Sequence, residues 1–402
     1  VEETLMAKIL ALTSRLPYPP REGHQLRSWH MLRALAKRHE VTLLSFVRDD
    51  DAPDATGPLR DAVAHLEMFP VPSEQSRASL GFALARGLLG SDPFVVEKYA
   101  SADMRARIAE LLPQFDAVHV DMLPLASLVG ATRVAMVLNA HNVEHELLQR
   151  RIDIETRPLL RIFLRTQVDR LRRFETAVCH RASRILACSQ TDAQQLAALA
   201  PQTPITVVPN GVDTQAISAS ENPPRANRMI FVGQMSWFPN RDGVVWFLED
   251  ILPRIVKARP DAQFALVGKN AGLQVPPSLA TNVQLLGFVD DLVPVMQEAA
   301  VYVVPLRAGS GTRLKVLEAM AFGKAIVTTH IGSEGIALDD GENAVYADSA
   351  EDFAAAVVRA MDDPTLVARL GLRARALAVA RYDWDAITAS MLPAYDDLSP
   401  RP

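Results

Sequence analysis

At 402 residues the chain has room for two domains, each large enough to bury its own core. A hydrophobic content of 49% with 22% charged residues is ordinary for a soluble α/β protein, and a net charge of −5 excludes a nucleic-acid-binding polycation. Two cysteines, Cys179 and Cys188, exclude a disulfide framework, no apolar run is long enough to span a membrane, and no signal-peptide core follows Met6, which reads as the natural start; a cytoplasmic chain is expected.

Lys8–Thr13 is an apolar run that reads as a buried strand. A Pro-rich loop follows to Gly23, then helical spacing from His24 to Lys37, then a strand at Val41–Phe46. This strand–loop–helix–strand unit starts a parallel sheet, which puts Gly23 at the carboxyl end of the first strand, where doubly wound sheets bind ligands. No G-x-G-x-x-G fingerprint is present, and a plain turn is the other reading of Gly23. Asp49–Gly57 reads as an acidic surface loop, Leu80–Leu89 and Ala102–Leu112 as helices, and Ala117–Asp121 and Val134–Leu138 as strands. Directly behind the last strand come Asn139, His141, Asn142, Glu144 and His145. Such a polar cluster at a strand's carboxyl end is where catalytic groups gather in these sheets. Arg150–Arg184 holds ten arginines against four acids, with apolar residues between them, and is expected as one long amphipathic helix. Its basic face is either solvated or turned to an anionic membrane surface or a lipid-diphosphate acceptor. Strands at Arg184–Ser189 and Ile205–Asp213 close this half, and the Pro-bearing polar stretch Ser218–Asn227 reads as a linker.

Arg228–Gly233 opens a second alternation, with strands expected near Phe264–Val267, Val283–Leu286, Val301–Val304 and Ala325–Thr328. The implied fold class is α/β, two doubly wound Rossmann-like domains facing each other across a cleft. The loop from Gly233 runs through Asn240 and Asp242 into a helix, and those two residues suit either ligand contact or helix capping. Lys269 either neutralises phosphate or is solvated. After the strand ending at Val304, Gly309-Ser310-Gly311 can bring backbone N–H groups close to a ligand, and Thr312 is expected to open a helix whose amino end favours anions. Arg313 and Lys315 add two cations there, and Glu318 a carboxylate able to grip a ribose diol. Together these read as a nucleoside-diphosphate site, a structural turn being the other reading.

Glu318-Ala-Met-Ala-Phe-Gly-Lys-Ala-Ile-Val resembles the donor-site segment of the retaining GT-B glycosyltransferases, family four (group 1), in a polysaccharide-biosynthesis-like branch. Their pattern places a carboxylate eight positions before that Glu, and here the place holds Ser310; likewise Gln234 stands where many members have Arg. The resemblance implies that Glu318 holds the ribose and that His141 contacts the donor sugar. It implies that Gly23 faces the donor phosphates and the acceptor, that Asn210–Asp213 is the crossing between domains, and that Gly287–Asp291 lies near the base. It also implies that the tail from Tyr382 returns to the first domain, with Trp384 as a packing anchor.

The expected organisation is an acceptor-side domain at 6–213, a linker at 214–227, a donor-binding domain at 228–383 and a terminal helix at 384–400 packing back on the first domain. The expected activity is retaining transfer of a sugar from a nucleotide sugar, UDP- or GDP-linked, to a glycan, polysaccharide or lipid-linked saccharide acceptor. Catalytic roles fall to His141, Arg313 and Lys315. Donor binding falls to Gly23, Gly233, Asn240, Lys269, Ser310, Gly311, Thr312 and Glu318. No Asp-x-Asp motif stands in the expected place, so neither a metal nor another cofactor is expected, and nucleic acid is not an expected partner. Cytoplasmic placement, with peripheral membrane contact through Arg150–Arg184, completes the reading. The alternatives are a weakly active nucleotide-binding subunit, an epimerase of the same fold, or a phosphorylase that would need pyridoxal phosphate.

Overall fold

A computed structural model of the chain describes residues 6–20, 23–48, 51, 56–217, 223–270, 272–309, 313–396 and 398. The chain divides into two compact units. One runs through Pro209 and takes back the segment from Ile387; the other is Asn210–Ala386.

The first unit carries strands β1 (Lys8–Thr13), β2 (Glu40–Val47), β3 (His65–Pro70), β4 (Ala117–Asp121), β5 (Ala135–Ala140), β6 (Arg184–Ala187) and β7 (Ile205–Val207). They form a seven-stranded parallel sheet in the order β3-β2-β1-β4-β5-β6-β7. Its central strands β1, β4 and β5 are buried nearly end to end, as parallel strands with both faces covered must be. The second unit holds β8 (Arg225–Val232), β9 (Gln263–Val267), β10 (Val283–Gly287), β11 (Ala299–Val304), β12 (Ala325–Thr328) and β13 (Val345–Tyr346). Its six-stranded parallel sheet runs β10-β9-β8-β11-β12-β13. In each sheet the strand order reverses beside the first strand, between β1 and β4 and between β8 and β11. The carboxyl ends of those strands are where doubly wound sheets open a crevice for ligands.

Local sequence explains many of the helix starts. Ser76, Ser101, Ser189 and Ser349 each accept from the backbone N–H three residues on, and Asp363 accepts from Thr365 and Leu366. The basic stretch expected as one helix is two, Glu144–Ile154 and Pro158–Arg181. Pro158 has no N–H to give a preceding turn and holds Arg157 extended, so it starts the second helix rather than continuing the first. β8 begins at Arg225, inside the stretch read as linker; residues 218–222 lie outside the described ones. Strands β3 and β13 were not expected. Both are edge strands, one half-exposed and one two residues long, and neither shows an apolar run.

Val212 and Asp383 form a bridge, and Val212 N–H donates to the Tyr382 carbonyl at 2.7 Å. Gly211 lies against Trp384, which is 2% exposed, so closely that an added Cβ would sit 2.6 Å from the indole. Tyr395, in the segment returned to the first unit, meets His119 Nδ1 at 2.6 Å. Cys179 and Cys188 are free and buried. Among the described residues no helix is long and apolar enough to cross a membrane.

Two helix glycines separate packing from propensity. A Cβ at Gly371 would run into the Gly323 carbonyl oxygen, whereas at Gly81 it would meet nothing. Gly371→Ala is expected to lower stability by about 1–3 kcal/mol through overpacking. Gly81→Ala should raise it by up to about 1 kcal/mol through helix propensity. Urea unfolding midpoints of the two variants check both signs.

Candidate functional site

In the Asn210–Ala386 unit, Gly233, Asn240, Lys315 and Arg313 lie near the switch point between β8 and β11. β8 ends into Gly233, whose N–H donates to Val267 O at 2.8 Å. A Cβ on Gly233 would lie 2.6 Å from Lys315 Nζ and 2.7 Å from Asn240 Nδ2, so only glycine leaves room for that ammonium. Neighbouring Gly268, at φ +124, presses its backbone against the Gly233 carbonyl, where a Cβ would collide. Lys315 extends from the helix Leu314–Ala321 and donates to Asn240 Oδ1 at 2.6 Å, with its ammonium 4.1 Å from the centre of the Phe231 ring. Asn240 completes its own pairing by donating to Gln234 O at 3.0 Å. Among the described residues no carboxylate stands within ion-pair distance of Lys315. Burial, reinforced by the Arg313 charge, pushes its pKa down to about 7 although Glu318 opposes the shift. Burial pushes the Glu318 carboxyl up to about 7, against the pull of Lys315. Arg313 reaches the Ile331 carbonyl at 3.4 Å and the Glu334 carboxylate at 3.7 Å, and its guanidinium lies over Gly309, which holds φ +129.

In the first unit the corresponding reversal, between β1 and β4, is organised around Asp121 at the end of β4. Its Oδ1 accepts from Asn139 Nδ2 at 2.6 Å and meets His141 Nε2 at 2.7 Å, while its Oδ2 accepts from the Ser28 hydroxyl at 2.5 Å. Arg27, 1% exposed, donates to Asn139 Oδ1 at 2.9 Å and to the Val208 carbonyl at 2.8 Å. Burial alone would push the Asp121 carboxyl up. The charge and hydrogen bond of His141, with His119 and Ser28, outweigh it and hold Asp121 well below the usual carboxylate range. Burial, then the His141 charge, pushes His24 down to about 4, so this imidazole is neutral at neutral pH. The residue after Asp121, Met122, holds φ 95, an uncommon conformation that lies directly at the cluster.

The polar run behind β5 therefore splits in two. His141 and Asn139 join Asp121, but His145 has a structural task. Glu175, from the Pro158–Arg181 helix, accepts from the backbone N–H groups of Glu144 and His145 at 2.9 and 3.2 Å and from His145 Nδ1 at 2.5 Å. It caps the start of the Glu144–Ile154 helix, supplying a carboxylate where donors are unpaired. Glu144, buried and beside Glu175, is pushed up to about 7.

Gly233, Asn240, Lys315, Glu318 and Arg313 thus lie together in one unit, while His141 and Gly23 belong to the other, Gly23 as the exposed first residue of the helix Gly23–Ala36. Lys269 is exposed, and its carbonyl accepts from Met235 N–H at 3.0 Å. Ser310, Gly311 and Thr312 lie outside the described residues, and the described helix begins at Leu314 with Arg313 at the N-cap. Neither Asn240 nor Asp242 caps its helix: Trp237 holds that place, and Asp242 pairs with Arg307 at 2.7 Å. Sequence reasoning missed Asp121, Arg27 and Ser28. The available signal was an aspartate ending a buried strand. Among the described residues no group of three or more His, Cys, Asp or Glu could hold a metal ion.

Family models match both halves. Glycosyltransferase Family 4 matches residues 23–216 and Glycosyl transferases group 1 residues 226–363. The chain belongs to this glycosyltransferase family. This member is 31% identical over 204 residues to a phosphatidyl-myo-inositol mannosyltransferase of Mycolicibacterium smegmatis, a match covering 48% of this chain and 52% of that protein. Similarity to a glycogen synthase of Mycobacterium tuberculosis is 25% over 204 residues, 48% of each chain. The matches thus span about half the length of these curated relatives. Among solved structures, sucrose-phosphate synthase from Thermosynechococcus elongatus superposes with a TM-score of 0.72 at 17% identity, over 97% of this chain and 99% of that one. HepE of Anabaena, in complex with UDP and glucose, gives 0.67 at 16% identity, over 97% and 99%. At these identities the likeness shows the fold, and that fold is GT-B, with two parallel-sheet Rossmann-like units as expected.

Removing Asp121 leaves buried donors from Ser28, Asn139 and His141 without their acceptor. Asp121→Ala is expected to cost about 3–5 kcal/mol, the usual penalty for stranding a buried charge partner. Because the folded-state pKa is depressed, the carboxylate's contribution is present above the ordinary carboxylate range and is lost as pH falls toward the folded value. Urea unfolding across acid pH should therefore show the wild-type and Asp121→Ala stabilities converging only at the acid end.

Proposed function

We propose that this family member transfers a sugar from a nucleoside-diphosphate sugar to a hydroxyl acceptor, with retention of configuration and without a metal ion. One observation carries the reading: Lys315 holds its ammonium in a glycine-lined recess with a neutral amide as its hydrogen-bond acceptor and no carboxylate within pairing distance among the described residues. A partly buried cation left this way is stabilised by an arriving anion. The leaving diphosphate supplies that anion, and Arg313 adds a second positive charge. Stabilising charge where it develops in the transition state is the largest electrostatic contribution such a site can make.

The Glu318 carboxylate, with no hydrogen-bond donor to it among the described residues, takes the ribose diol. The acceptor hydroxyl attacks the anomeric carbon on the face from which the diphosphate departs. The bond from that carbon to the phosphate oxygen breaks, the new glycosidic bond forms, and the departing phosphate takes the hydroxyl proton. His141, fixed by Asp121, contacts the donor sugar, as the family resemblance implies. The donor-binding role belongs to 228–383 and the acceptor role to 6–213. UDP and GDP are the leading leaving groups; HepE with bound UDP and glucose supports the first. The acceptor is a glycan or a lipid-linked saccharide, and cytoplasmic placement at a membrane face suits the latter.

Calorimetric titration with UDP, GDP, ADP and CMP tests the site. One nucleoside diphosphate should bind at micromolar strength, and Glu318→Ala should weaken it at least about tenfold, or about 1.4 kcal/mol. If no nucleotide binds, or the variant binds as well as wild type, the donor site is wrong. Binding without sugar transfer in the presence of acceptors would favour the non-catalytic subunit instead.

Proton linkage gives a sharper signature. An anion beside Lys315 raises its pKa from about 7, so binding takes up protons near neutral pH. A ribose diol donating to Glu318 lowers a carboxyl pKa of about 7, so binding releases them. The two partly cancel in wild type. Titration in buffers of different ionisation enthalpy should show net uptake for Glu318→Gln and net release for Lys315→Gln. Identical proton counts in both variants would contradict the assignment.

A further inference from the structure

The helix Arg77–Leu89 is turned inside out. Its buried residues are the small ones, Ala83 and Gly87, and Gly87 lies so close to Phe94 that a Cβ would come within 2.8 Å of the Phe94 Cα. Its large apolar residues face outward, with Phe82 64% exposed and Leu89 89% exposed, and Leu80, Leu84 and Leu88 exposed beside them. A helix that packs for stability alone places these residues the other way round. Five large apolar side chains on one short helix exceed the scattered exposure that needs no explanation.

A second helix adds to this surface. Arg170, from the helix Pro158–Arg181, donates to the Leu88 carbonyl at 2.9 Å, and Gln167 donates to the Gly87 carbonyl at 3.1 Å. These bonds tie the last turn of the first helix to the second. The exposed start of the second helix carries Leu159, 83% exposed, and Ile162, 59% exposed. Arg161 and Arg165 stand beside them, exposed and without an ion pair among the described residues. The stretches 76–91 and 156–168 contain five arginines and no acidic residue. Arg86 pairs with Glu97 at 2.8 Å and Arg157 with Glu155 at 2.9 Å, and Arg77, Arg161 and Arg165 have no ion pair among the described residues.

We propose that these two helices form a docking face for an anionic lipid bilayer surface. Exposed Leu, Ile and Phe enter the boundary between headgroups and acyl chains, while the arginines, with long apolar stems and charged heads, meet lipid phosphates. The charge pattern selects this occupant. A second copy of the chain would bring the unpaired Arg77, Arg161 and Arg165 against the same three, whereas an anionic leaflet complements them. The inference assigns the outward face of Arg77–Leu89, which the sequence reading left without a role. It stands apart from the nucleotide site, so each can fail without the other.

The test is flotation of the purified 402-residue chain with phosphatidylcholine vesicles, with and without phosphatidylglycerol. Wild type should float with the phosphatidylglycerol vesicles and remain behind with phosphatidylcholine alone. Phe82→Ser/Leu89→Ser and Arg161→Glu/Arg165→Glu should each lower the bound fraction about tenfold or more. All four positions are exposed, and unchanged nucleotide titration and unfolding midpoints report that the variants fold. Absence of wild-type binding, equal binding to both vesicle types, or unchanged binding of the Phe82/Leu89 variant would overturn the proposal. So would a wild-type dimer that this variant converts to monomer without any vesicle binding, which would give the face to a second copy.

Discussion

An ammonium group with no carboxylate in pairing distance among the described residues is the constraint around which the Asn210–Ala386 unit is arranged. Desolvating Lys315 is unfavourable, and the described residues offer it a neutral amide at 2.6 Å and an aromatic face. Three features then have to coincide. Position 233 must be glycine, because any Cβ there would occupy the space beside the ammonium. Asn240 must turn inward from its helix, so it forgoes any capping role and anchors itself on the Gln234 carbonyl. The helix Leu314–Ala321 must bury Val316, Leu317, Met320 and the small residues around them, because that packing aims Lys315 and Glu318 toward the same end of the sheet.

The two groups are unfavourable in the ligand-free fold in opposite senses. With its pKa raised to about 7, Glu318 lowers stability as pH rises from the ordinary carboxylate range toward that value. With its pKa lowered to about 7, Lys315 restores stability as pH rises from that value toward the ordinary lysine range. Near neutral pH both penalties are close to full. The fold holds this arrangement because the surrounding strands are apolar, buried and paired, so the local cost is carried by the core of the sheet.

Much of this could be read from residue order. Apolar runs such as Ala299–Val304 announce buried parallel strands, and the Gly, Arg, Lys and Glu that follow are the residues from which the proposed anion site is built. What could not be read depends on distance or on competition. Glu175 caps a helix that starts 31 residues earlier, and nothing local marks a glutamate in mid-helix as a cap. Asp121 looks like the last residue of a strand until Ser28, Asn139 and His141 converge on it from two other places in the chain. β3 and β13 lie at sheet edges, where one neighbour and partial exposure remove the pattern that identifies a central strand. The basic stretch read as one helix shows periodicity on both sides of Pro158, and backbone chemistry overrides periodicity there.

The inverted helix Arg77–Leu89 shows the same limit from another direction. Its apolar residues support a helix in either orientation, so the pattern predicts the element and leaves its facing open. Facing was decided by fit: Gly87 admits the Phe94 backbone, and the Gly87 and Leu88 carbonyls accept donors that only a close neighbour could supply. Small residues bury the side that must approach another chain segment, which leaves the large ones outside. A surface made in this way costs the unit hydrophobic burial that it could otherwise have had, and the unpaired arginines beside it oppose the close approach of a second like-charged face. Loss of burial combined with single-sign charge is the condition under which an external apolar, anionic phase becomes the better solvent for that face.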